Sequence, residues 1–236
     1  MALPDPAQIL ITGASSGIGA ALARRLAAPG RTLHLQGRDD ARLSSLSAEV
    51  AGTGAVPITH RLDLSDHSAV DREATRLRDE IDRLDALVHS AGIIALGPLE
   101  TTDTRDLDRQ LSVNLRAPFA LTAALTPALV AARGQVVFVN SGAGQRASPG
   151  WSQYAASKFG LRALADAYRA EVAERGVRVT TIYPGRTATP MQAEVHRFEA
   201  RDYDPERFAR PDDVASSIEH ALEMPRSAVV PEISVR

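Results

Sequence analysis

The stretch QILITGASSGIGAALARRLA, residues 8–27, reads as an apolar strand, a glycine turn and an amphipathic helix in immediate succession. Gly13, Gly17 and Gly19 let the backbone turn sharply and approach a ligand closely, with Ser15, Ser16 and Ile18 between them. The helix that follows opens with unpaired N–H groups and a positive partial charge, the arrangement that holds phosphate. A glycine trio alone says little, because any tight strand-to-helix turn uses glycine. Strand, turn and helix together at the head of an alternating chain point to dinucleotide binding.

The alternation continues to the end of the chain. Apolar β-type runs lie at 8–12, 32–36, 56–62, 86–90, 135–140, 177–183 and 227–235. Several are apolar at successive positions, as expected of strands covered on both faces of a parallel sheet. Helical patterns fall between them at 17–28, 40–50, 66–82, roughly 103–131, 152–174 and 211–223. In 66–82, Val70, Leu77 and Ile81 share one side among many charges. Pro211 followed by Asp212 and Asp213 suits a first helical turn. The pattern predicts an α/β protein, a three-layer doubly wound (Rossmann) fold with a mostly parallel seven-stranded sheet and one domain over 1–236. Segment 186–210 is polar and charged, with two prolines, and is expected to be a substrate loop at the carboxyl end of the sheet.

Bulk properties narrow the partners. The chain has 236 residues, a formal charge of −2 and no long run of like charge, which argues against nucleic acid or an anionic membrane as main partner. There is no cysteine, so no disulfide framework and no thiolate metal site. No segment is read as approaching the ~20 apolar residues of a membrane span. A soluble, cytoplasmic protein is expected. His89 has no second histidine at metal-ligand spacing, so no metal is assigned and His89 is read as a packed strand-end residue.

The second strand ends LQGRDD, where a dinucleotide fold selecting NAD carries an acid for the ribose 2′-hydroxyl. Here Gly37 stands at that point and Arg38 follows. A guanidinium can bind a 2′-phosphate bidentately, so NADP(H) is favoured. In the alternative, with NAD(H), Arg38 is a solvated residue and Asp39 or Asp40 binds ribose, although both acids look better placed to cap the next helix. Asp63, in RLDLSD, could accept from the adenine amino group or simply begin a loop, with Asp66 the better helix cap. The small residues of HSAG, Ser90, Ala91 and Gly92, allow backbone to pass close to the adenosine ribose.

QVVFVNSG brings Ser141 to the carboxyl end of the fifth strand, the side where α/β ligands bind. Thirteen residues later comes Tyr154, and Lys158 lies one helical turn beyond it. Ser141, Tyr154 and Lys158 suit hydride chemistry at a carbonyl: the reduced oxygen needs a proton and donors around it. A neighbouring ammonium is expected to lower the phenol's pKa toward the working pH. Tyr and Lys at this spacing occur on many exposed helices; the phosphate turn and the strand-end serine give the pair its meaning. A serine protease does not fit, since no histidine follows a G-x-S-x-G elbow.

With TGASSGIG, LD at 62–63, HSAG, the asparagine of SVNLRAPF, Ser141, YAASK and YPGRTAT in order and at family spacing, the chain resembles the single-domain short-chain dehydrogenases/reductases over essentially its whole length. The resemblance implies a strand order of 3-2-1-4-5-6-7. It also implies a fourth catalytic residue, Asn114, which distorts its helix and holds a water in a proton relay, and a Lys158 contact to the nicotinamide ribose. Pro184, Gly185, Thr187 and Thr189 would surround the nicotinamide carboxamide, and Leu64 would join Asp63 at the adenine. Two departures stand out: His89 and Ser90 replace the usual asparagine pair, and Ser16 sits where many NADP-preferring members carry a basic residue.

The expected function is thus an NADP(H)-dependent oxidoreductase acting on a small-molecule carbonyl or secondary alcohol, with Tyr154 as general acid/base. Alternatives are a non-catalytic NADP-sensing protein and a reductase of an acyl-carrier-bound ketone, the latter docking through Arg133 and Arg175. The expected pocket wall is Ile93, Ile94, Ala143, Gly144, Trp151, Tyr183, Arg186, Met191 and Phe198. Arg186 could meet an anionic group or an acid of 194–206. The resemblance also implies a homodimer or homotetramer, and Leu107, Leu111, Leu115, Phe119, Leu125, Phe159, Leu164, Tyr168 and Val172 could lie partly between subunits or in the core.

Overall fold

The computed structural model describes residues 3–236, and among these seven strands form one sheet. They are β1 (Ala7–Thr12), β2 (Arg31–Gly37), β3 (Val56–Arg61), β4 (Ala86–His89), β5 (Gln135–Val139), β6 (Arg178–Pro184) and β7 (Glu232–Val235). Their order is β3-β2-β1-β4-β5-β6-β7, every pairing is parallel, and the expected order holds. After β3 the chain crosses back over β1 to begin β4. A crevice therefore opens at the carboxyl ends of β1 and β4, where the winding reverses.

Helices cover both faces: α1 (Gly17–Leu26), α2 (Asp40–Ala51), α3 (His67–Glu80), α4 (Thr104–Leu111), α5 (Ala117–Ala132), α6 (Ser152–Val172), α7 (Pro190–Phe198) and α8 (Pro211–Glu223). Alternation along β1 divides the core. Ile9 and Ile11 pack with Leu22, Leu26, Leu43, Leu46 and Ile218 of α1, α2 and α8. Leu10, between them, packs with Val70, Leu77, Leu121, Leu125 and Leu161 of α3, α5 and α6. Burying each such leucine contributes roughly 1.5–3 kcal/mol. The caps fall where their chemistry indicates: Asp39 accepts from Arg42 N–H at 3.1 Å and Asp66 from Ala69 N–H at 2.9 Å.

Four expectations need correction. The pattern over 103–131 is not one helix: a π-helical turn, Ser112–Arg116, separates α4 from α5. Second, the run Thr104–Ala132 is long and apolar enough to cross a membrane by length and composition, where no such segment was expected. Its apolarity serves the core, with Leu121, Leu125 and Leu129 buried. Third, β7 starts at Glu232 rather than at 227. Two carbonyls before it are taken by side chains of β6 instead of its backbone: Ala228 by Arg178 Nη1 and Val230 by Thr180 Oγ1. Fourth, 186–210 is not simply a loop. It holds α7, with Thr189 accepting from Gln192 N–H at 3.3 Å and Pro190 in its first turn, and it closes on itself through a bridge between Thr187 and Ala209.

Of the residues weighed for subunit contact, Leu125, Tyr168 and Val172 belong to the core, and Leu107, Leu111, Leu115 and Leu164 are half-buried. Phe119 and Phe159 stand out at 58% and 41% exposed. Arg133 and Arg175 precede β5 and β6, at the amino ends of those strands and so at the opposite end of the sheet from the crevice.

Candidate active site

The floor of the crevice is the glycine turn. Gly13 sits at φ +68°, and a Cβ there would come within 2.7 Å of Ala91 Cα, so the turn lies directly against the end of β4. Two contacts lock this closeness: Ala91 N–H donates to Thr12 Oγ1 at 3.2 Å, and Gly13 N–H donates to Gln36 Oε1 at 3.2 Å. Gln36 also donates to the Leu62 carbonyl at 2.7 Å, so one buried amide ties together the turns after β1, β2 and β3. Ser16 stands at the N-cap of α1 without a side-chain capping bond, which leaves the first N–H groups of that helix facing the crevice.

The resulting cleft has a volume of about 890 Å³. Gly13, Ser15, Ser16, Gly17, Ile18, Arg38, Asp63, Leu64, Ser90 and Ala91 line one end, with Gly19 behind them in the wall of the turn. Gly92 instead lies by the chemical residues, where a Cβ would stand 3.5 Å from Met191 Cε and 3.7 Å from Lys158 Nζ. Pro184, Gly185, Thr187 and Thr189 line the other end, beyond β6. The two ends meet across the glycine turn, where a Cβ on Gly17 would touch Thr189 Cγ2 at 3.3 Å.

At the adenosine end the acids separate as expected. Asp39 caps α2 and pairs with Arg42 at 3.2 Å, and neither Asp39 nor Asp40 reaches the cleft. Arg38 reaches it and makes no ion pair among the described residues. A Cβ on Gly37 would lie 2.9 Å from Ser15 Cβ and Oγ, so an acid at position 37 would collide with the glycine turn. Asp63 accepts from Ser65 N–H and Oγ at 2.9 and 2.8 Å. Burial raises its pKa, but these bonds and the charges of Arg38 and Arg109 outweigh it and hold the carboxyl below its ordinary value.

At the chemical end, β5 delivers Ser141 in extended backbone with φ −166°, and its Oγ accepts from Ala143 N–H at 3.1 Å. The first turn of α6 brings Tyr154, and the next brings Lys158; both line the cleft with Ser141. Tyr154 is 4% exposed and Lys158 3%. Lys158 Nζ donates to the Val139 carbonyl at 3.2 Å and stands 5.8 Å from the Tyr154 ring centroid. Asn140, which sequence reasoning overlooked, donates to the Lys158 carbonyl at 3.0 Å and fixes the helix against the strand end.

Electrostatically the pair departs from expectation. Burial pushes the Tyr154 phenol up to about 12, against the opposing pull of the Ser141 hydroxyl. Burial also pushes Lys158 down to about 8. Desolvation therefore dominates and keeps the phenol protonated at neutral pH.

Asn114 lies on the π-helical turn and is fully buried, but it does not line the cleft. Its Oδ1 accepts from Ile93 N–H at 2.9 Å, and its Nδ2 donates to the Ile93 carbonyl and to Ser157 Oγ, each at 3.0 Å. It grips the segment after β4 and the helix of Tyr154 at once. Gln110, also missed from the sequence, extends this grip by accepting from Ala95 N–H at 3.1 Å. His89 is packed as expected, donating or accepting at Thr122 Oγ1 (2.8 Å) and stacked on Phe138, with burial pushing it down to about 3.

The expected pocket wall is mostly right. Ile93, Ile94, Ala143, Trp151, Arg186, Met191 and Phe198 line the cleft, whereas Tyr183 and Gly144 do not. Tyr183 lies on β6 with its hydroxyl donating to Glu232 of β7 at 3.3 Å, and Gly144 packs against Asn140 and the Lys158 carbonyl. Asp106, Arg109 and Gln110 of α4 and Gln192, Glu194 and Val195 of α7 also line the cleft, with Arg109 close enough to Asp63 for its charge to act on that carboxyl. Arg186 pairs bidentately with Glu199, Nη1 donating to Oε2 at 2.9 Å, which resolves its two readings in favour of the acid.

Residues 7–200 match the family model described as short chain dehydrogenase. The chain is 33% identical to a sepiapterin reductase of Chlorobaculum tepidum over 97% of this chain and 95% of that one. It is 34% identical to the glycine betaine reductase of Emericella nidulans over 96% of its own length, but spans only 18% of that protein. Among solved structures, the alcohol dehydrogenase of the archaeon Thermococcus sibiricus complexed with 5-hydroxy-NADP superposes with a TM-score of 0.87 at 26% identity, covering 98% of this chain and 96% of that one.

Proposed function

The chain belongs to the short-chain dehydrogenase family, an oxidoreductase family, and from that premise we propose that it is an NADP(H)-dependent enzyme interconverting a carbonyl and a secondary alcohol. The observation that carries this reading is the convergence of Ser141, Tyr154 and Lys158 on the same cleft as the glycine turn and Arg38.

The residues fit a dinucleotide phosphate along the cleft. The exposed N–H groups of α1 suit the pyrophosphate. Arg38, which makes no ion pair among the described residues, suits a 2′-phosphate, and the crowding of Ser15 against position 37 leaves no room for the acid an NAD enzyme would place there. A solved relative bound to an NADP derivative supports the same choice. Bound there, the cofactor supplies or accepts the hydride.

Around the reacting carbonyl, Tyr154 Oη gives the proton that the developing alkoxide takes up, and its raised pKa keeps that proton in place at neutral pH. The Ser141 hydroxyl donates to the same oxygen and orients it. Lys158 places a positive charge beside the phenol and offers donors to a ribose. Asn114, Asn140 and Gln110 hold the backbone that carries them.

Replacing Tyr154 by Phe removes the proton donor and little else. NADPH binding, measured by fluorescence titration, is expected to persist while kcat for ketone reduction drops by about 10²–10⁴-fold. A variant that keeps more than half of the wild-type turnover would refute the assignment.

A further inference from the structure

Resting on the reading of this cleft as a carbonyl-reducing site, we propose that it selects neutral, apolar ketones and turns away carbonyl compounds that carry a carboxylate, because the guanidinium at its substrate end is already neutralised by the protein's own Glu199. The cleft wall carries three arginines, Arg38, Arg109 and Arg186. Arg38 and Arg109 both act on Asp63 and so belong to the adenosine end. Arg186 alone follows β6 toward the side where α7 presents Met191 and Phe198.

Arg186 is not available to an incoming anion. Both oxygens of Glu199 face its guanidinium, one of them at 2.9 Å, in the fork-to-fork geometry that makes the strongest carboxylate pairs. The side chains are 38% and 19% exposed, so the pair is only partly screened by water. Arg201 Nη1 stands 4.0 Å from the same carboxylate and helps hold it in place. The other ionic group that α7 brings to this end is an acid, Glu194, paired with the outward Arg197. Lys158 also lines the cleft, but it is buried, holds the Val139 carbonyl and is committed to the ribose in the reading above. A substrate carboxylate would therefore lose its hydration, meet carboxylates of like charge and find no free cation.

What the wall does offer is apolar. Trp151 stands edge-on to the Tyr154 ring, with centroids 6.0 Å apart and planes at 65°. Leu96, Ala143 and Val195 form a buried cluster with Tyr154, and Ile94 packs against it. The phenol that gives the proton is thus embedded in a hydrophobic lining, suited to an aryl or alicyclic ketone whose single polar group is the carbonyl.

The test compares acetophenone with 4-acetylbenzoate, which differ by one carboxylate, in wild type, Glu199→Gln and Arg186→Gln/Glu199→Gln. Wild type is expected to reduce acetophenone at least about tenfold more efficiently by kcat/KM. Glu199→Gln frees Arg186 and is expected to shift that ratio about tenfold toward the carboxylate, the scale of one charge-assisted hydrogen bond. The double variant is expected to return to the wild-type ratio, which shows that the gain runs through Arg186 and not through loosened packing. Calorimetric titration with benzoate supplies a readout independent of turnover, with binding expected to Glu199→Gln but not to wild type. Wild-type preference for 4-acetylbenzoate, or an unmoved ratio and no benzoate binding in Glu199→Gln, would overturn the inference. Absence of turnover with either ketone, alongside benzoate binding to Glu199→Gln alone, would instead refute the reductase reading and support the charge inference.

Discussion

Lys158 and Tyr154 share one helix face, yet their burial moves them in ways that the spacing alone does not reveal. The buried lysine, with a pKa of about 8, is the group that titrates near working pH, while the phenol stays protonated. In the reduction direction the reactive form carries a protonated Tyr154 and a cationic Lys158. As pH rises through about 8 the ammonium is lost first, so kcat/KM for reduction is expected to be level below that value and to fall above it. A profile that instead rises between pH 7 and 9 would contradict this order. Arg38 carries cofactor choice at the same scale. Arg38→Asp replaces a phosphate ligand by a repelling carboxylate and is expected to raise KM for NADPH by about 100-fold while changing KM for NADH little. Equal effects on both cofactors would sink the assignment.

At the scale of elements, the π-helical turn between α4 and α5 explains why a buried asparagine sits in an otherwise apolar helix. The turn lets Asn114 face Ile93 and Ser157 together and make three hydrogen bonds. Asn114→Ala leaves the Ile93 N–H and carbonyl without their partner, and a loss of about 2–3 kcal/mol in urea unfolding is expected, with kcat falling because Tyr154 and Lys158 lose a support of their helix. Undiminished stability would contradict this positioning role. Locally encoded features were legible in the sequence: the glycine turn, the Asp39 and Asp66 caps, and the 211–223 helix all rest on neighbouring residues. α7 carries a local signal, the Thr189-Pro190 pair that opens it, but the charge and prolines of 186–210 pointed toward a loop instead. The start of β7 was not legible, because the Ala228 and Val230 carbonyls are claimed by the side chains of Arg178 and Thr180 from a distant part of the chain.

Across the whole molecule, the parallel sheet sends every functional side chain to one end. β1, β2 and β4 deliver the glycine turn, Arg38 and Ser90–Gly92, while β5 and β6 deliver Ser141 and Pro184–Thr189. The arginines once weighed for docking an acyl carrier lie at the other end, because they precede strands rather than follow them. This polarity is why site residues after strands could be read from order and spacing. Contacts between separate excursions could not: Arg186 with Glu199, Gln36 with Leu62, and the turn of Tyr183 away from the cleft depend on packing between elements. The most direct test of the central claim is steady-state reduction of a panel of neutral ketones with NADPH and NADH side by side. The expected result is ketone-dependent oxidation of NADPH with kcat/KM at least about tenfold above that for NADH, since only the former engages Arg38. Oxidation of neither cofactor across the panel, or a preference for NADH, would contradict it.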